Sequence, residues 1–478
     1  MNTGAPWPAP VAAWARVLGI QAKLHQWAGG DPARRFDDLF NLVTDPAVLQ
    51  AAWERVRSNR GARTAGVDGQ TAYYIERVRG VEEFLTGLRG QLRSRGFTPV
   101  TVRERMVPKA SGKLRRLGIP TLTDRVVQAA LKLVLEPIFE ADFKPCSYGF
   151  RPRRRAQDAI AEIHHLTSPV RNYSWVVDAD IAACFDSISH TALMGRVRRR
   201  VADKRVLALV KAFLKAGILT EAGQHKDSEA GTPQGGILSP LLANIALSVL
   251  DEHFAAAWAA MGDSSARHRR RRRGQATYRL IRYADDFVVL VHGTRAHAEA
   301  LREEAAQVIA PMGLVLSDEK TRVTHIDQGF DFLGFRIQRQ PKRGSGKPTV
   351  YTYPAKTALC SVKAKVRAAT RQGLNQPLAV LLYRLAPVLR GWANYFRHGV
   401  SKATFDYLRR FTWRRVICWL RRKHRHASMK WIRRRYLPDW WPADGEVVLF
   451  DIGKVTVSRY RYRASIPTPW AATAAAAH

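Results

Sequence analysis

Three short motifs follow one another in a fixed order, and this order constrains the fold more than any other feature of the sequence. The first is Asp178-Ala-Asp180-Ile181, which ends a predicted strand from Trp175 and is followed by Phe185. The second is T-P-Q-G-G-I-L-S-P at 232–240, and the third is Y-A-D-D at 283–286, at the tip of a predicted hairpin. Taken alone, the Asp285-Asp286 pair is more often an ordinary hairpin turn, and the first acidic cluster is more often a solvated strand end. The ordered set is far more specific.

The acidic motifs stand out because the chain is strongly basic. It has 78 Lys and Arg against 40 Asp and Glu, a net charge of +38 over 478 residues. Self-repulsion of that size favours a polyanionic partner, with nucleic acid first and an anionic membrane surface second. Neighbouring carboxylates also repel one another and are costly to bury without a cation. A pair of magnesium ions, which prefer hard oxygen ligands, would offset that repulsion.

Several classes of protein are excluded by the rest of the composition. The four cysteines are scattered without a C-x-x-C pair, which argues against a zinc ribbon and against a disulfide framework. A hydrophobic content of 46% excludes a wholly disordered chain. We find neither a signal peptide nor an apolar run of the roughly 20 residues that a membrane helix needs. We therefore expect a reducing, cytoplasmic location.

Further motifs extend the pattern over the chain from about Phe36 to Trp470. They are K-A-S-G-K-L-R-R-L-G-I-P at 109–120, S-Y-G-F-R-P at 147–152, G-L-V-L-S-D-E-K-T at 313–321, F-L-G-F at 332–335 and R-G-W-A-N-Y-F-R at 390–397. With these motifs the sequence resembles the group II intron-encoded reverse transcriptase/maturases. Many members continue into a Cys- and His-rich DNA endonuclease. We do not find the cysteines that such a module needs, and we find no RNase H domain.

The resemblance implies an α+β fold of the right-hand polymerase type. Fingers and palm, a mainly antiparallel sheet backed by helices, are expected over residues 37–345, and an α-helical thumb or maturase domain over 346–438. An N-terminal extension (1–36) and a short basic C-terminal tail (439–478) would flank them.

The resemblance also implies a metal site. Asp180 and Asp285 would bridge two Mg²⁺ ions, for which Mn²⁺ could substitute, with the backbone carbonyl of Ile181 as a further ligand and Asp286 more peripheral. Asp178 shares a strand face with Asp180 by the period of two, but the family pattern makes Asp180 the ligand. Lys320 would either act as a general acid toward pyrophosphate or steady the active-site strand, and both roles stay open.

Nucleotide-binding residues are implied in the same way. Phe185 would be the steric gate that excludes a ribose 2′-hydroxyl, although a core phenylalanine is the alternative. Lys109 and Arg115, on opposite arms of a short hairpin, would clamp the triphosphate with charge-assisted hydrogen bonds. Arg103 is a further candidate for that task, and Gln234 is expected beside the nucleotide and template.

A basic segment near the end of the chain predicts an RNA-binding surface. Residues 407–438 hold twelve Lys and Arg and no Asp or Glu, a composition that suits phosphate binding better than a solvated face. The expected RNA contacts are Arg414, Arg415, Arg421 and Arg422, together with Arg390 and Arg397 of the family motif. We expect the run at 269–273 to be a loop, either mobile until RNA orders it or a disordered solvated insert.

The expected function is that of an RNA-directed DNA polymerase of a group II intron that also binds intron RNA and assists its splicing and mobility. Its partners would be intron RNA, an RNA template with a DNA primer, a DNA target and deoxynucleotide triphosphates, in a bacterial ribonucleoprotein near the nucleoid. Two alternatives remain: a splicing-only RNA-binding maturase, and a domesticated or defence-related reverse transcriptase. The intact aspartates, Phe185 and Lys320 argue against the first, and the maturase-like thumb argues against the second.

Overall fold

The computed structural model describes residues 7–108, 114–342 and 344–471. The chain forms two compact units. The first comprises Met1–Arg155, Val177–Val323 and Ser465–His478, and the second comprises Ala156–Val176 and Thr324–Ala464.

The elements run as follows in chain order. The α-helices are α1 Pro10–Gly30, α2 Phe40–Val43, α3 Pro46–Arg57, α4 Ala72–Tyr74, α5 Val81–Arg93, α6 Leu122–Glu140, α7 Ala156–Thr167, α8 Cys184–Ser187, α9 His190–Arg198, α10 Lys204–Lys215, α11 Ser239–Ala260, α12 Ser264–Arg272, α13 Arg295–Ile309, α14 Lys356–Arg371, α15 Leu378–Phe396, α16 Lys402–Lys423 and α17 Met429–Tyr436. The strands are β1 Val102–Pro108, β2 Leu114–Ile119, β3 Trp175–Asp180, β4 Ile218–Leu219, β5 His225–Lys226, β6 Thr277–Tyr283, β7 Asp286–His292, β8 Arg322–His325, β9 Phe330–Phe332, β10 Phe335–Pro341, β11 Pro348–Pro354, β12 Ala443–Asp444 and β13 Val447–Val448. Short 3₁₀ turns lie at Arg60–Arg63, Ala310–Met312, Pro438–Trp440 and Ile452–Lys454, and one π-helical turn lies at Ile75–Arg79.

The first unit has a helical layer in which α1 packs against α3 and α6. These helices form where apolar residues recur on one face: α3 starts at Pro46 behind an Asp45 side chain that accepts from the Ala47 N–H, and it buries Trp53. The sequence carried little signal before residue 36, yet α1 buries Ala13, Val17 and Leu24 in this layer. The N-terminal segment is thus part of the core of this unit.

Two sheets of the first unit concern the functional site. One has the order β2-β1-β4-β5, and β1 and β2 form an antiparallel hairpin from Arg103 opposite Ile119 to Pro108 opposite Leu114. The other has the order β6-β7-β3-β8. Its strand β7 is buried from Phe287 to Val291 because it lies between two other strands, and α11 packs on β6. Apolar side chains fill both faces of this strand, as is usual for a central strand.

The second unit contains the antiparallel sheet β11-β10-β9 and the helices α14 to α17. Helix α16 buries Phe405, Leu408, Trp419 and Leu420 and exposes most of its arginines. This amphipathic arrangement arises because apolar residues recur at helical spacing along one face of α16. The predicted fold class, α+β with mainly antiparallel sheets and a helical C-terminal region, is confirmed.

The prediction of a loop at 269–273 is wrong. Residues 269–272 form the end of helix α12, which begins where the Asp263 side chain accepts from the Ala266 N–H at 2.7 Å. Arginine is a good helix former, and the Arg267 guanidinium lies 4.3 Å from the centroid of the Trp258 ring, so the segment has local reasons to fold.

The boundary expected at 345/346 stays a prediction. Residues 348–354 form β11, which pairs with β10 from Phe335 opposite Pro354 to Pro341 opposite Pro348, and the first helix after it starts at Lys356. No helix within the described ranges is long and apolar enough to cross a membrane.

Candidate active site

Three aspartates predicted to bind metal lie together at the end of neighbouring strands. Asp180 is the last residue of β3, and Asp285 and Asp286 lie where β6 turns into β7. In the sheet, β7 is directly beside β3. The left-handed conformation of Ala284, with a φ of +59°, lets the hairpin turn so that successive carboxylates approach one site.

The electrostatics of Asp285 and Asp286 show that the negative charge of the cluster is only partly balanced. Desolvation by the surrounding protein, with repulsion from Asp285 and Asp180, raises the pKa of Asp286 to about 7, although the side chain reaches the surface. Desolvation and repulsion from Asp180 also raise the pKa of Asp285, and the positive charges of Arg115 and Lys320 partly oppose that rise. A carboxylate cluster of this kind is suited to a cation.

Lys320 contacts the cluster directly. Its Nζ forms an ion pair with the Asp180 carboxylate, and this hydrogen bond raises the pKa of the Lys320 amine. The Lys320 side chain remains 63% exposed. Its head group can therefore leave Asp180 at little cost when another cation binds there.

The backbone around Asp180 orients the Ile181 carbonyl. The Ser317 N–H donates to the Asp180 carbonyl at 2.8 Å, and the Ala182 N–H donates to the Val315 carbonyl at 2.9 Å, so Ile181 and Leu316 form an antiparallel bridge. In such a pair the central residues direct their own N–H and C=O groups away from each other's strand. The Ile181 carbonyl therefore points away from Leu316 and is not used by that bridge.

The donor set fits a divalent cation. It consists of two or three carboxylates and one backbone carbonyl, all hard oxygen ligands. Among the described residues, no group of three or more His, Cys, Asp or Glu is placed so that it could hold a metal ion by itself. An open set of carboxylates that substrate phosphates and water complete is how magnesium is usually held at phosphoryl-transfer sites.

Phe185 packs beneath the Gly- and Pro-rich loop at 231–236. The Phe185 carbonyl accepts from the Thr232 N–H at 2.6 Å, and a Cβ on Gly231 would lie 2.6 Å from the same oxygen. Gly231 has a φ of +83°, so both its conformation and its space require glycine. The Phe185 side chain is 8% exposed, which is compatible with a gate and with a core residue.

The predicted nucleotide-binding cations come from the β1–β2 hairpin. Arg115 donates from Nε to the Gln234 side-chain oxygen at 2.7 Å, and the Gly118 N–H donates to the Gln234 carbonyl at 2.7 Å. The strand register puts Arg103 and Arg115 on the same face, because Arg103 is opposite Ile119 and Val107 is opposite Arg115. Lys109 lies outside the described residues.

Two groups of predicted RNA contacts differ in their surroundings. Arg414 and Arg421 are exposed on α16. Arg415 instead donates to the Thr370 hydroxyl at 3.1 Å, and Arg422 donates to the Thr370 carbonyl. The second pair therefore fastens α16 to α14, so that phosphate binding by either arginine would compete with an internal contact.

The arginines of the R-G-W-A-N-Y-F-R motif also differ. Arg390 is exposed, with its guanidinium 5.2 Å from the centroid of the Phe450 ring. Arg397 is half-buried, its carbonyl accepts from the Ser458 N–H at 3.0 Å, and its Nε has no hydrogen-bond partner among the described residues.

Sequence reasoning missed the buried polar contacts behind the hairpin tip. Arg282 and Asp251 form an ion pair whose side chains are both 0% exposed, and Asn244 donates to the Gly149 carbonyl at 2.9 Å. A Cβ on Gly149 would lie 2.3 Å from the Ala284 nitrogen. The available signals were an arginine inside an apolar strand and an aspartate inside an apolar helix, since charges in such places need partners.

Comparison with known proteins agrees with this geometry. A family profile described as reverse transcriptase (RNA-dependent DNA polymerase) matches residues 107–337. A second profile, group II intron, maturase-specific domain, matches residues 359–437. The fold is therefore that of a reverse transcriptase, a class of enzyme that generally uses divalent metal ions.

Curated relatives narrow this class. The chain is 38% identical to Protein YkfC of Escherichia coli over 359 residues, which cover 72% of this chain and 93% of that protein. It is 32% identical to the group II intron-encoded protein LtrA of Lactococcus lactis subsp. cremoris, over 63% of this chain but only 57% of that protein. It is 25% identical to an Arabidopsis thaliana protein named nuclear intron maturase 1, mitochondrial, over 55% of this chain and 48% of that protein. The chain belongs to the group II intron-encoded reverse transcriptase/maturase family.

Proposed function

We propose that this protein copies RNA into DNA at the site formed by Asp180, Asp285 and Asp286, with two Mg²⁺ ions that Mn²⁺ can replace. The observation that carries the proposal is the convergence of these carboxylates from two neighbouring strands, where the pKa values of Asp285 and Asp286 are raised and Lys320 is paired with Asp180. Family membership supplies the reaction class, and the open oxygen ligand set suits magnesium.

In this proposal the metal ions, when bound, activate the primer 3′-hydroxyl and stabilise the leaving pyrophosphate. The aspartates and the Ile181 carbonyl hold them. Arg115, with Arg103 on the same hairpin face, binds the triphosphate through charge-assisted hydrogen bonds, and Gln234 keeps Arg115 in position until the nucleotide arrives. Lys109 is assigned to the same clamp by its place in the motif.

Phe185 and Lys320 act at the two ends of the nucleotide. The Phe185 ring, held by the contacts of its backbone with Thr232, would meet a ribose 2′-hydroxyl and so favour deoxynucleotides. For Lys320 the ion pair with Asp180 supports the steadying role, because a lysine held by a carboxylate is not free to protonate pyrophosphate. If a cation displaced Lys320 from Asp180, the Lys320 amine would be free to act as the general acid toward pyrophosphate.

We further propose that the helical region binds intron RNA and assists splicing and mobility, with a DNA target as the acceptor of the intron. Exposed arginines on α16 support this, because basic helices contact the phosphates and 2′-hydroxyls of structured RNA. The proposal implies a ribonucleoprotein in a bacterial cytoplasm. A splicing-only maturase is disfavoured because such a protein has no need of the metal-binding carboxylates.

Primer extension tests the polymerase assignment. Asp180→Ala and Asp285→Ala should each abolish divalent-metal-dependent extension of a DNA primer on an RNA template, whereas Asp318→Ala, which removes an aspartate outside the cluster, should not. Extension should proceed with Mg²⁺ or Mn²⁺ and stop with EDTA. Robust extension by either cluster variant would exclude the assignment.

A further inference from the structure

Arg282 is the most completely satisfied buried charge near the hairpin tip. Its side chain is 0% exposed. A guanidinium has five N–H donors, and here all five have acceptors: Nε to Asp251 at 2.8 Å, Nη1 to Asn244 at 3.0 Å and to the Ala284 carbonyl at 2.8 Å, and Nη2 to Ser147 at 2.8 Å and to Asp251 at 2.5 Å. Such a set fixes the guanidinium in one orientation.

The acceptors come from three separate segments. Asp251 and Asn244 lie on α11, Ser147 lies in the S-Y-G-F-R-P motif, and Ala284 lies at the hairpin tip. The Arg282 backbone continues the same link, since its N–H donates to the Cys146 carbonyl and its carbonyl accepts from the Tyr148 N–H, both at 2.8 Å. A single residue thus ties the tip to a helix and to a loop.

The contact with Ala284 bears on the reacting groups. The Ala284 carbonyl belongs to the peptide group that leads into Asp285, and a peptide group is planar. Holding that oxygen therefore fixes the plane from which Asp285 projects. Ala284 also has a φ of +59°, a conformation that is strained for a non-glycine residue and persists only when surrounding contacts hold it.

We infer that Arg282 is a positioning residue for the metal-binding carboxylate of Asp285, acting through the Ala284 carbonyl. The inference rests on the proposed function of Asp285 and extends it to a residue that touches no substrate. The effect of Arg282 on Asp285 is geometric, because the positive charge of Arg282 is already paired with the negative charge of Asp251 in a buried ion pair.

Arg282→Lys tests the inference, because an ammonium keeps the charge but has three donors and no planar fork. We expect the maximal rate of single-nucleotide incorporation at saturating substrates to fall about 10- to 100-fold, as for a displacement of the order of 1 Å at a reacting group. The dissociation constant for the template-primer should stay within twofold. Mn²⁺ binding without nucleic acid, followed by electron paramagnetic resonance, should weaken several-fold.

Arg200→Lys is the matched control. Arg200 is also buried in the first unit and donates to the carbonyls of Ala28, Asp31 and Pro32, but none of its hydrogen bonds reaches the hairpin. The Arg200→Lys variant should lose thermal stability, while its Mn²⁺ affinity and its rate per folded molecule stay unchanged. Equal losses of Mn²⁺ affinity in the two variants would overturn the inference, as would unchanged affinity in Arg282→Lys.

Ser147→Ala is a second test variant, to be used if Arg282→Lys does not fold. It removes one of the five acceptors and leaves the ion pair with Asp251 in place. Mn²⁺ affinity should fall to a smaller extent, and unchanged affinity would contradict the inference. The metal-binding measurement also separates the two proposals: a parent protein that binds Mn²⁺ but makes no DNA refutes the polymerase function alone.

Discussion

Gly149→Ala is expected to move the β6–β7 hairpin without touching a charged residue. A Cβ at this position would lie 2.3 Å from the Ala284 nitrogen, 2.8 Å from the Tyr283 carbonyl carbon and 3.1 Å from the Ala284 Cα. All three are backbone atoms, so no side chain can rotate away. Restoring an ordinary contact of roughly 3.5 Å requires a shift of about 1 Å.

That shift falls on the residue directly before Asp285. A displacement of about 1 Å at a reacting group costs on the order of 100-fold in rate, and forcing a methyl group into a packed site costs about 1–3 kcal/mol of unfolding free energy. We therefore expect Gly149→Ala to slow primer extension about 100-fold and to remain folded.

Single-turnover extension on an RNA template, normalised to the folded fraction, is the assay. Gly195→Ala is the matched control, because Gly195 lies in α9 and an added Cβ there meets nothing within 4 Å. It should keep the parental rate and gain roughly 0.4–1 kcal/mol of stability. An extension rate for Gly149→Ala within twofold of the parent would refute the reasoning.

Three further predictions follow from the described contacts. Phe185→Val should raise ribonucleotide incorporation relative to deoxynucleotide in direct competition, and unchanged selectivity would make Phe185 a packing residue. Replacing the exposed Arg414 and Arg421 together by Gln should make the slope of log affinity for intron RNA against log salt shallower by up to about 2, and an unchanged slope would exclude them as phosphate contacts. Burial raises the pKa of Asp124 from 3.8 to about 6, so the folded state favours the protonated carboxyl group. The stabilisation from this group is present below pH 4 and is lost as the pH rises through 6. Denaturant unfolding of Asp124→Asn should lack this loss of up to about 3 kcal/mol, and parallel pH profiles of the two proteins would refute it.

The hairpin and its acidic tip could be predicted because their signals are local. Apolar, β-branched and aromatic residues on both sides of Ala284–Asp286 indicate two strands with a turn between them, and the structure has β6 and β7 there. The fold class followed from the family resemblance that the motifs carry. Which carboxylates act in catalysis stays a prediction, since their proximity does not measure their role.

The support behind the tip could not be predicted because its partners are far apart in the sequence. Asp251 is 31 residues from Arg282, and Ser147 is 135 residues from it. Only the folded chain brings them together. The loop prediction at 269–273 was wrong because it considered the arginine run alone, whereas the Asp263 cap and the Trp258 ring favour a helix there.

The central claim is that DNA synthesis occurs at the aspartate cluster and that RNA binding does not depend on it. Asp285→Asn tests this most directly, because it removes one negative charge and keeps the shape of the side chain. Extension on an RNA template and splicing of bound intron RNA should be measured on the same preparation. The account predicts that extension falls below detection while RNA affinity and splicing stay within about twofold of the parent. Extension at the parental rate, or loss of splicing together with extension in a folded protein, would contradict it.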